Sequence, residues 1–204
     1  MESPDLAAHI DHKLHQKESS YENSDIDFFI LPKDKKAFSS LVEEIGLCKH
    51  SLKIALFTWT HQDIVDAVIA AYKRGIDVEV ILDAKTCLGA SRFVAKKLKE
   101  NHVPLYCNRG MQLMHHKLAL CDNKVLISGS ANWTKAAFKK NHELLFIIRK
   151  LDTKQLIFLK RMWDVLISES TLETDQIPQR LACDKISQIF LRRPSLGKLI
   201  STQT

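Results

Sequence analysis

The sequence predicts an α/β fold: a mixed β-sheet flanked by helices on both faces, built as a single domain. Three observations lead there. Between residues 26 and 106, strand-like runs alternate with stretches of helical apolar spacing, the pattern of a sheet covered by helices. At 115–128 the rhythm changes to two strand-like runs joined by a two-residue turn, which brings antiparallel pairing into the same sheet. A chain of 204 residues, 45% hydrophobic and 26% charged, suits one domain with a good core.

The elements follow in order. Residues 1–24 are polar, carry both charge signs and read as a flexible arm. The run Ile26 to Leu31 is a strand, stopped by Pro32, which cannot extend a ladder. Phe38, Leu41, Val42 and Ile45 share one helical face within 35–48. Leu52, Ile54, Leu56 and Phe57 suit a buried strand over 51–58. Ile64, Val65, Val68, Ile69 and Tyr72 predict a second helix that Arg74-Gly75 ends. A strand over 76–82 stops at Asp83, a helix covers 91–100, and a short strand occupies 103–106. His115 to Cys121 alternates as a strand, Asp122-Asn123 turns, and Lys124 to Ser128 returns. Gly129 to Asn132 is a loop entering a short helix near 134–138, then a strand at 142–148 and an amphipathic helix at 154–167 close the domain. The main domain is therefore drawn as 25–169. Residues 170–204 form a C-terminal extension with no clear pattern, interrupted at Arg192-Arg193-Pro194.

No apolar run approaches the roughly 18 residues that span a bilayer, and the first 24 residues contain no apolar core of a secretory signal. A cytoplasmic protein is the expectation. Five scattered cysteines without a C-x-x-C pair indicate neither a disulfide framework nor a zinc site, and are read as reduced thiols. Net charge is +6 but uneven. Residues 1–84 hold 9 basic against 15 acidic side chains, whereas 85–150 hold 13 against 3. A surplus of this kind attracts polyanions, and it suits nucleic acid and anionic lipid headgroups alike.

The basic segment also carries the chemistry. His115, Lys117, Asp122, Gly129, Ser130 and Asn132 make the pattern H-x-K-x4-D-x6-G-S-x-N. Alternate strand residues share a face, so His115 and Lys117 project together while His116 points away. A neutral imidazole is a nucleophile near neutrality. Lys117 and the Asn132 amide are placed to hold the non-bridging oxygens of a phosphodiester as charge builds there. Ser130 adds a hydroxyl donor, and Gly129 lets backbone approach closely. Asp122 is a candidate catalytic group, but it falls at a turn, where an Asx role competes more strongly. Lys135, Lys139 and Lys140 are candidates for phosphate contacts. Trp133, and with less support Trp59 and Tyr106, are candidates for base stacking, though core packing explains each as well. Met111, Leu113 and Met114 form a candidate lip for lipid. His9, His12 and His15 lie in the arm with no assigned role.

This constellation resembles the signature of the phospholipase D superfamily. The resemblance covers about 26–168 and is specific from 115 to 143. It implies the phospholipase D-like fold and cleavage of phosphodiesters through a covalent phosphohistidine on His115, with no metal and no cofactor. It also implies that a carboxylate on the strand after the signature orients the histidine. Glu143 fits that place, and Asn141 is a weaker neighbour. One signature in a short chain is similar to the branch of bacterial endonucleases and mitochondrial Zucchini-type proteins, which act as homodimers with a composite site on the twofold axis. Neither the anchor nor the zinc insertion of the Zucchini type is visible, which favours the bacterial comparison. The expectation is thus an endonuclease. The alternatives are a phospholipase D or phosphatidyltransferase, and a non-catalytic nucleic-acid-binding module.

Overall fold

The computed structural model describes residues 25–174. The N-terminal arm with its three histidines and the C-terminal stretch from 175, including Arg192-Arg193-Pro194, lie outside the described residues. Eight strands form one sheet: β1 (Ile26–Leu31), β2 (Ser51–Leu56), β3 (Asp77–Asp83), β4 (Leu105–Asn108), β5 (Lys117–Cys121), β6 (Val125–Gly129), β7 (Glu143–Ile148) and β8 (Ser170–Leu172). The helices are α1 (Lys36–Leu47), α2 (Gln62–Lys73), α3 (Ala84–Leu88), α4 (Arg92–Glu100), α5 (Lys135–Lys139) and α6 (Thr153–Ser168).

The order across the sheet is β1-β7-β6-β5-β2-β3-β4-β8. Strands β2, β3 and β4 are parallel, as the alternating first half requires, and the remaining pairs are antiparallel. The mixed sheet with helices on both faces is the predicted architecture. One face carries the main core: Leu52, Ile54 and Leu56 of β2, Val78, Val80 and Leu82 of β3, and Leu145 and Ile147 of β7 pack against Leu41 and Ile45 of α1 and Val65 and Val68 of α2. The other face buries Ala55, Ile81, Leu118 and Leu120 under Leu159, Trp163 and Leu166 of α6. Alternating side chains of one strand thus serve two cores, which explains why β2, β3 and β5 read as near-continuous apolar runs.

Strands β1, β2, β3, β4 and β6 end on one edge of the sheet, where β5 and β7 begin. This edge collects the chemistry. Two elements there differ from the sequence reading. Strand β5 starts at Lys117, so His115 and His116 form its extended lead-in rather than ladder residues. A one-turn helix, α3, follows Asp83, whose side chain accepts from the backbone N–H groups of Lys85 and Thr86. The single N-capping aspartate was its only local mark. Beyond residue 169, β8 adds an edge strand to β4.

Asp122 occupies the opposite edge. Five residues beyond Lys117 along an extended strand, it is displaced by about 17 Å along the chain. It adopts φ 53° in the turn, and its carboxylate accepts the N–H groups of Lys49 (2.9 Å), His50 (2.7 Å) and Ser51 (2.9 Å). This corrects the catalytic candidacy of Asp122: it fastens the β5–β6 turn to the start of β2. Burial pushes its carboxyl up, but the three backbone donors outweigh burial and hold it below the ordinary value. A depressed folded pKa gives stability that is full above the unfolded value of ~3.9 and is lost as pH falls through the folded value. Asp122→Asn should therefore lower stability near neutrality by about 2 kcal/mol. It should also flatten the acid limb of a urea-denaturation series, while leaving turnover of a small diester unchanged.

Candidate active site

The ammonium of Lys117 is the anchor of the site. Its strand buries the side chain, and burial lowers its pKa while the field of Glu143 raises it. Nζ donates to the His115 carbonyl oxygen at 2.9 Å and lies 2.9 Å from His115 Nδ1 and 3.0 Å from Nε2. The predicted pairing of His115 and Lys117 is thus present, although His115 precedes the ladder. The His115 ring is exposed, whereas His116 is half-buried and its pKa is lowered by burial, then by the charges of Lys117 and His115.

Phe57, just past β2, was not singled out in the sequence. Its ring centroid lies 4.6 Å from that of His115, and Lys117 Nζ sits 5.3 Å from the same ring. Its N–H donates to the His116 carbonyl at 2.8 Å, and its own carbonyl accepts from the Thr86 hydroxyl on α3. Phe57 therefore backs both the histidine and the lysine. Its apolar spacing marked it only as a core residue. Phe57→Leu keeps apolar bulk and removes the aromatic wall. It should lower kcat by about 10-fold, with little change in KM, by loosening the imidazole's orientation.

Asn132 Oδ1 accepts from the Thr58 N–H at 3.3 Å, so the carboxamide is tied to the end of β2 by its oxygen. Its amide nitrogen has no hydrogen-bond partner in the chain among the described residues. Gly129 has φ 145°, and a Cβ there would stand 2.0 Å from the Leu144 carbonyl oxygen. The glycine is thus required by the close passage of β7, rather than by an approach to a ligand. The hydroxyl of Ser130 donates to Glu143 Oε2 and accepts the Leu144 N–H at 3.1 Å. It is committed to the protein and supplies no spare donor.

Glu143 begins β7, two strands from β5, so β6 stands between it and His115. At about 4.8 Å per strand this separates the backbones by roughly 10 Å. Its carboxylate meets Ser130 and, at 3.4 Å, Asn141 Nδ2. Among the described residues, no hydrogen bond joins Glu143 to His115. Within a single chain the Glu143 carboxylate is therefore taken up by Ser130 and Asn141, and its charge raises the pKa of Lys117.

Trp133 is also corrected. It is 1% exposed and packs edge-on against the fully buried Trp59 at 5.0 Å between centroids. The pair joins the loop after β2 to the loop after β6, and Thr60 and His61 donate to the Trp133 carbonyl. Neither indole can stack on a base. Tyr106 is half-buried beside the α6 core, and that burial, with Glu79 and Asp77, pushes its hydroxyl up to about 12. Met114 belongs to the same core, which leaves Met111 and Leu113 as the exposed part of the predicted lip. Lys135, Lys139 and Lys140 are exposed on and just after α5, which follows directly on Asn132. The Thr134 hydroxyl caps that helix by accepting the Ala137 N–H at 3.1 Å.

Comparison with known proteins gives a consistent set of matches. The family model described as cardiolipin synthase, PLD-like domain, matches residues 41–163. Mitochondrial cardiolipin hydrolase of Mus musculus is 30% identical over 137 residues, covering 66% of this chain and 61% of that protein. The human protein of the same name is 29% identical over 142 residues, covering 66% of this chain and 54% of its own length. The chain thus spans a little over half of the length of these relatives. Among solved structures, Nuc of Salmonella typhimurium, a phospholipase D family member, aligns with a TM-score of 0.69 at 26% identity, over 74% of this chain and 98% of that one. NucT of Helicobacter pylori aligns with a TM-score of 0.66 at 28% identity, over 72% and 98% of the two chains.

Proposed function

The chain belongs to the phospholipase D-like domain family, and on that premise we propose that it is a metal-independent phosphodiesterase acting on nucleic acid through a phosphohistidine on His115. One observation carries this reading: an exposed imidazole is held against a buried ammonium, and the same sheet edge carries the Asn132 carboxamide, whose nitrogen is unengaged among the described residues. A phosphodiester entering at this edge offers its non-bridging oxygens to Lys117 Nζ and Asn132 Nδ2. Contact with phosphate draws the ammonium away from the ring and frees an imidazole nitrogen to attack phosphorus. The leaving oxygen then needs a proton, and water must displace the histidine from phosphorus.

A second copy of this chain supplies that acid. Each chain has one His115-Lys117 pair, and a twofold dimer brings two of them to one cleft. The uncovered part of the sheet supports such a contact. Among the described residues, helix α6 does not reach β1 and β7 on its side of the sheet, where Phe28 and Ile30 line up beside Leu144 and Phe146. Phe28 is 66% exposed, its ring 6.3 Å from that of Phe146. This strip reaches the catalytic edge at Leu144, next to Glu143, and an apolar stripe of this kind is characteristic of a protein interface.

The basic residues of α5 favour nucleic acid over a small diester. Binding of single-stranded DNA or RNA should weaken steeply with salt, with a log–log slope set by the phosphates neutralised. Charge reversal at Lys135, Lys139 or Lys140 should lower that slope by about 1 each, without affecting hydrolysis of bis-nitrophenyl phosphate.

Phospholipid is the second reading, favoured by a specific observation. Met111 is 99% exposed and Leu113 is also exposed, four and two residues before His115. Leu88, at the end of the α3 that braces Phe57, is exposed as well. The relatives named cardiolipin hydrolase point the same way. No helix among the described residues is long and apolar enough to cross a membrane. Incubation in excess EDTA with single-stranded DNA, duplex DNA, RNA, and phosphatidylcholine or cardiolipin vesicles tests both readings. Cleavage of a nucleic acid is expected. Cleavage of vesicle lipid alone would establish the second reading, and loss of all activity in EDTA with rescue by magnesium would overturn the mechanism.

A further inference from the structure

We propose that Cys87 and Cys107 form a peroxide-sensitive dithiol, a modification site separate from the phosphodiester chemistry. Cys87 lies on α3 and Cys107 on β4, 20 residues apart in the chain, and their Sγ atoms are 2.6 Å apart. The backbone holds them there. Cys107 pairs in register with Leu82 of β3, and α3 follows β3 directly through the Asp83 cap. Both thiols are buried in the main core, with Cys87 the more accessible of the two.

The pair is chemically asymmetric. The hydrogen bond from Cys107 holds the Cys87 thiol below its ordinary pKa against the effect of burial, with Lys99 and Arg109 helping and Glu173 opposing. The same bond, then burial, pushes the Cys107 thiol far up. Cys87 is thus the more readily ionised sulfur and Cys107 its hydrogen-bond donor, the arrangement of an attacking and a resolving sulfur. The Cys87 thiolate attacks one oxygen of hydrogen peroxide and breaks the O–O bond. Hydroxide leaves, takes a proton and becomes water, and Cys87 is left as a sulfenic acid. Cys107 sulfur then attacks the sulfenic sulfur, its proton goes to the departing hydroxyl, and a second water leaves as the disulfide closes. Two thiols lose two electrons, and one peroxide becomes two waters.

The bond would tie α3 to β4. Thr86, next to Cys87, donates to the Phe57 carbonyl, and Phe57 backs His115, so the link would brace the wall behind the imidazole. This proposal is independent of the substrate reading, because its readout is covalent chemistry rather than turnover.

The test treats the full chain with a slight excess of hydrogen peroxide at neutral pH, then alkylates it and maps its peptides. The expected result is a pair of peptides joined through Cys87 and Cys107, two hydrogens lighter than the reduced pair and separated by dithiothreitol. The melting midpoint should rise by about 5 °C through closure of the intervening loop, and this rise should be absent in C87S/C107S. In Cys107→Ser the reaction should stop at a sulfenic acid on Cys87, trapped by dimedone. Full alkylation of both thiols after peroxide would overturn the proposal. So would a dimedone adduct that forms on Cys107 in Cys87→Ser as readily as on Cys87 in Cys107→Ser. The wild-type map decides the matter even if a serine variant fails to fold.

Discussion

His115→Ala should reduce turnover by about 10⁴-fold or more, the scale seen when a covalent nucleophile is removed. The ring is exposed, so its truncation leaves no cavity in either core, and the melting midpoint should stay near that of the wild type. Lys117→Met should cost about 10³-fold, as for the loss of one preorganised charge donor to a developing oxyanion. Methionine keeps the buried stem and removes the ammonium, whose desolvation the fold otherwise bears. The KM of a small diester should rise for Lys117→Met, because that cation binds the ground state too, and should move little for His115→Ala. His116→Ala, at a half-buried side chain outside the pair, should retain most activity. Trapped intermediate should carry phosphate on His115. Essential His116 with dispensable His115 would overturn the assignment of the nucleophile.

The H-x-K pairing was legible because two residues apart on an extended chain is a local relation, and local relations survive folding. The same holds for the alternation that marked strands in a helix-covered sheet, later seen as the parallel β2, β3 and β4, and for the turn at Asp122-Asn123. What the sequence did not reveal depends on the order of strands in space. Glu143 starts the strand after the signature, but β6 lies between that strand and β5, so its carboxylate meets Ser130 before it can meet His115. Phe57 reaches the imidazole because β2 and β5 are neighbours although 60 residues separate them. Trp133 follows a site residue in the chain, yet the partner that decides its place is Trp59, 74 residues earlier. Asp122 shows the converse. Its turn geometry was readable, and the three backbone donors that occupy it come from Lys49, His50 and Ser51 at the entry to β2.

The composite site makes the other large prediction. Phe28→Glu with Ile30→Glu places two charges on the bare apolar strip beside the catalytic edge, at side chains already exposed to solvent. Such substitutions cost little in the folded monomer, whereas two facing copies would bury four like charges. The variant should sediment as a monomer with unchanged circular dichroism, and its turnover should fall by about 10² to 10⁴-fold for want of the general acid. Mixing wild-type and His115→Ala chains in equal amounts and letting subunits exchange gives an independent reading. If each turnover needs both imidazoles, activity should settle at roughly a quarter of the all-wild-type value, because only doubly intact dimers work. A site complete within each chain would instead give about half, with activity linear in the wild-type fraction. Vanadate should titrate at one ion per two chains. A fully active monomer would leave the acid to be found within one chain, and the half-buried His116 would then be the first residue to examine.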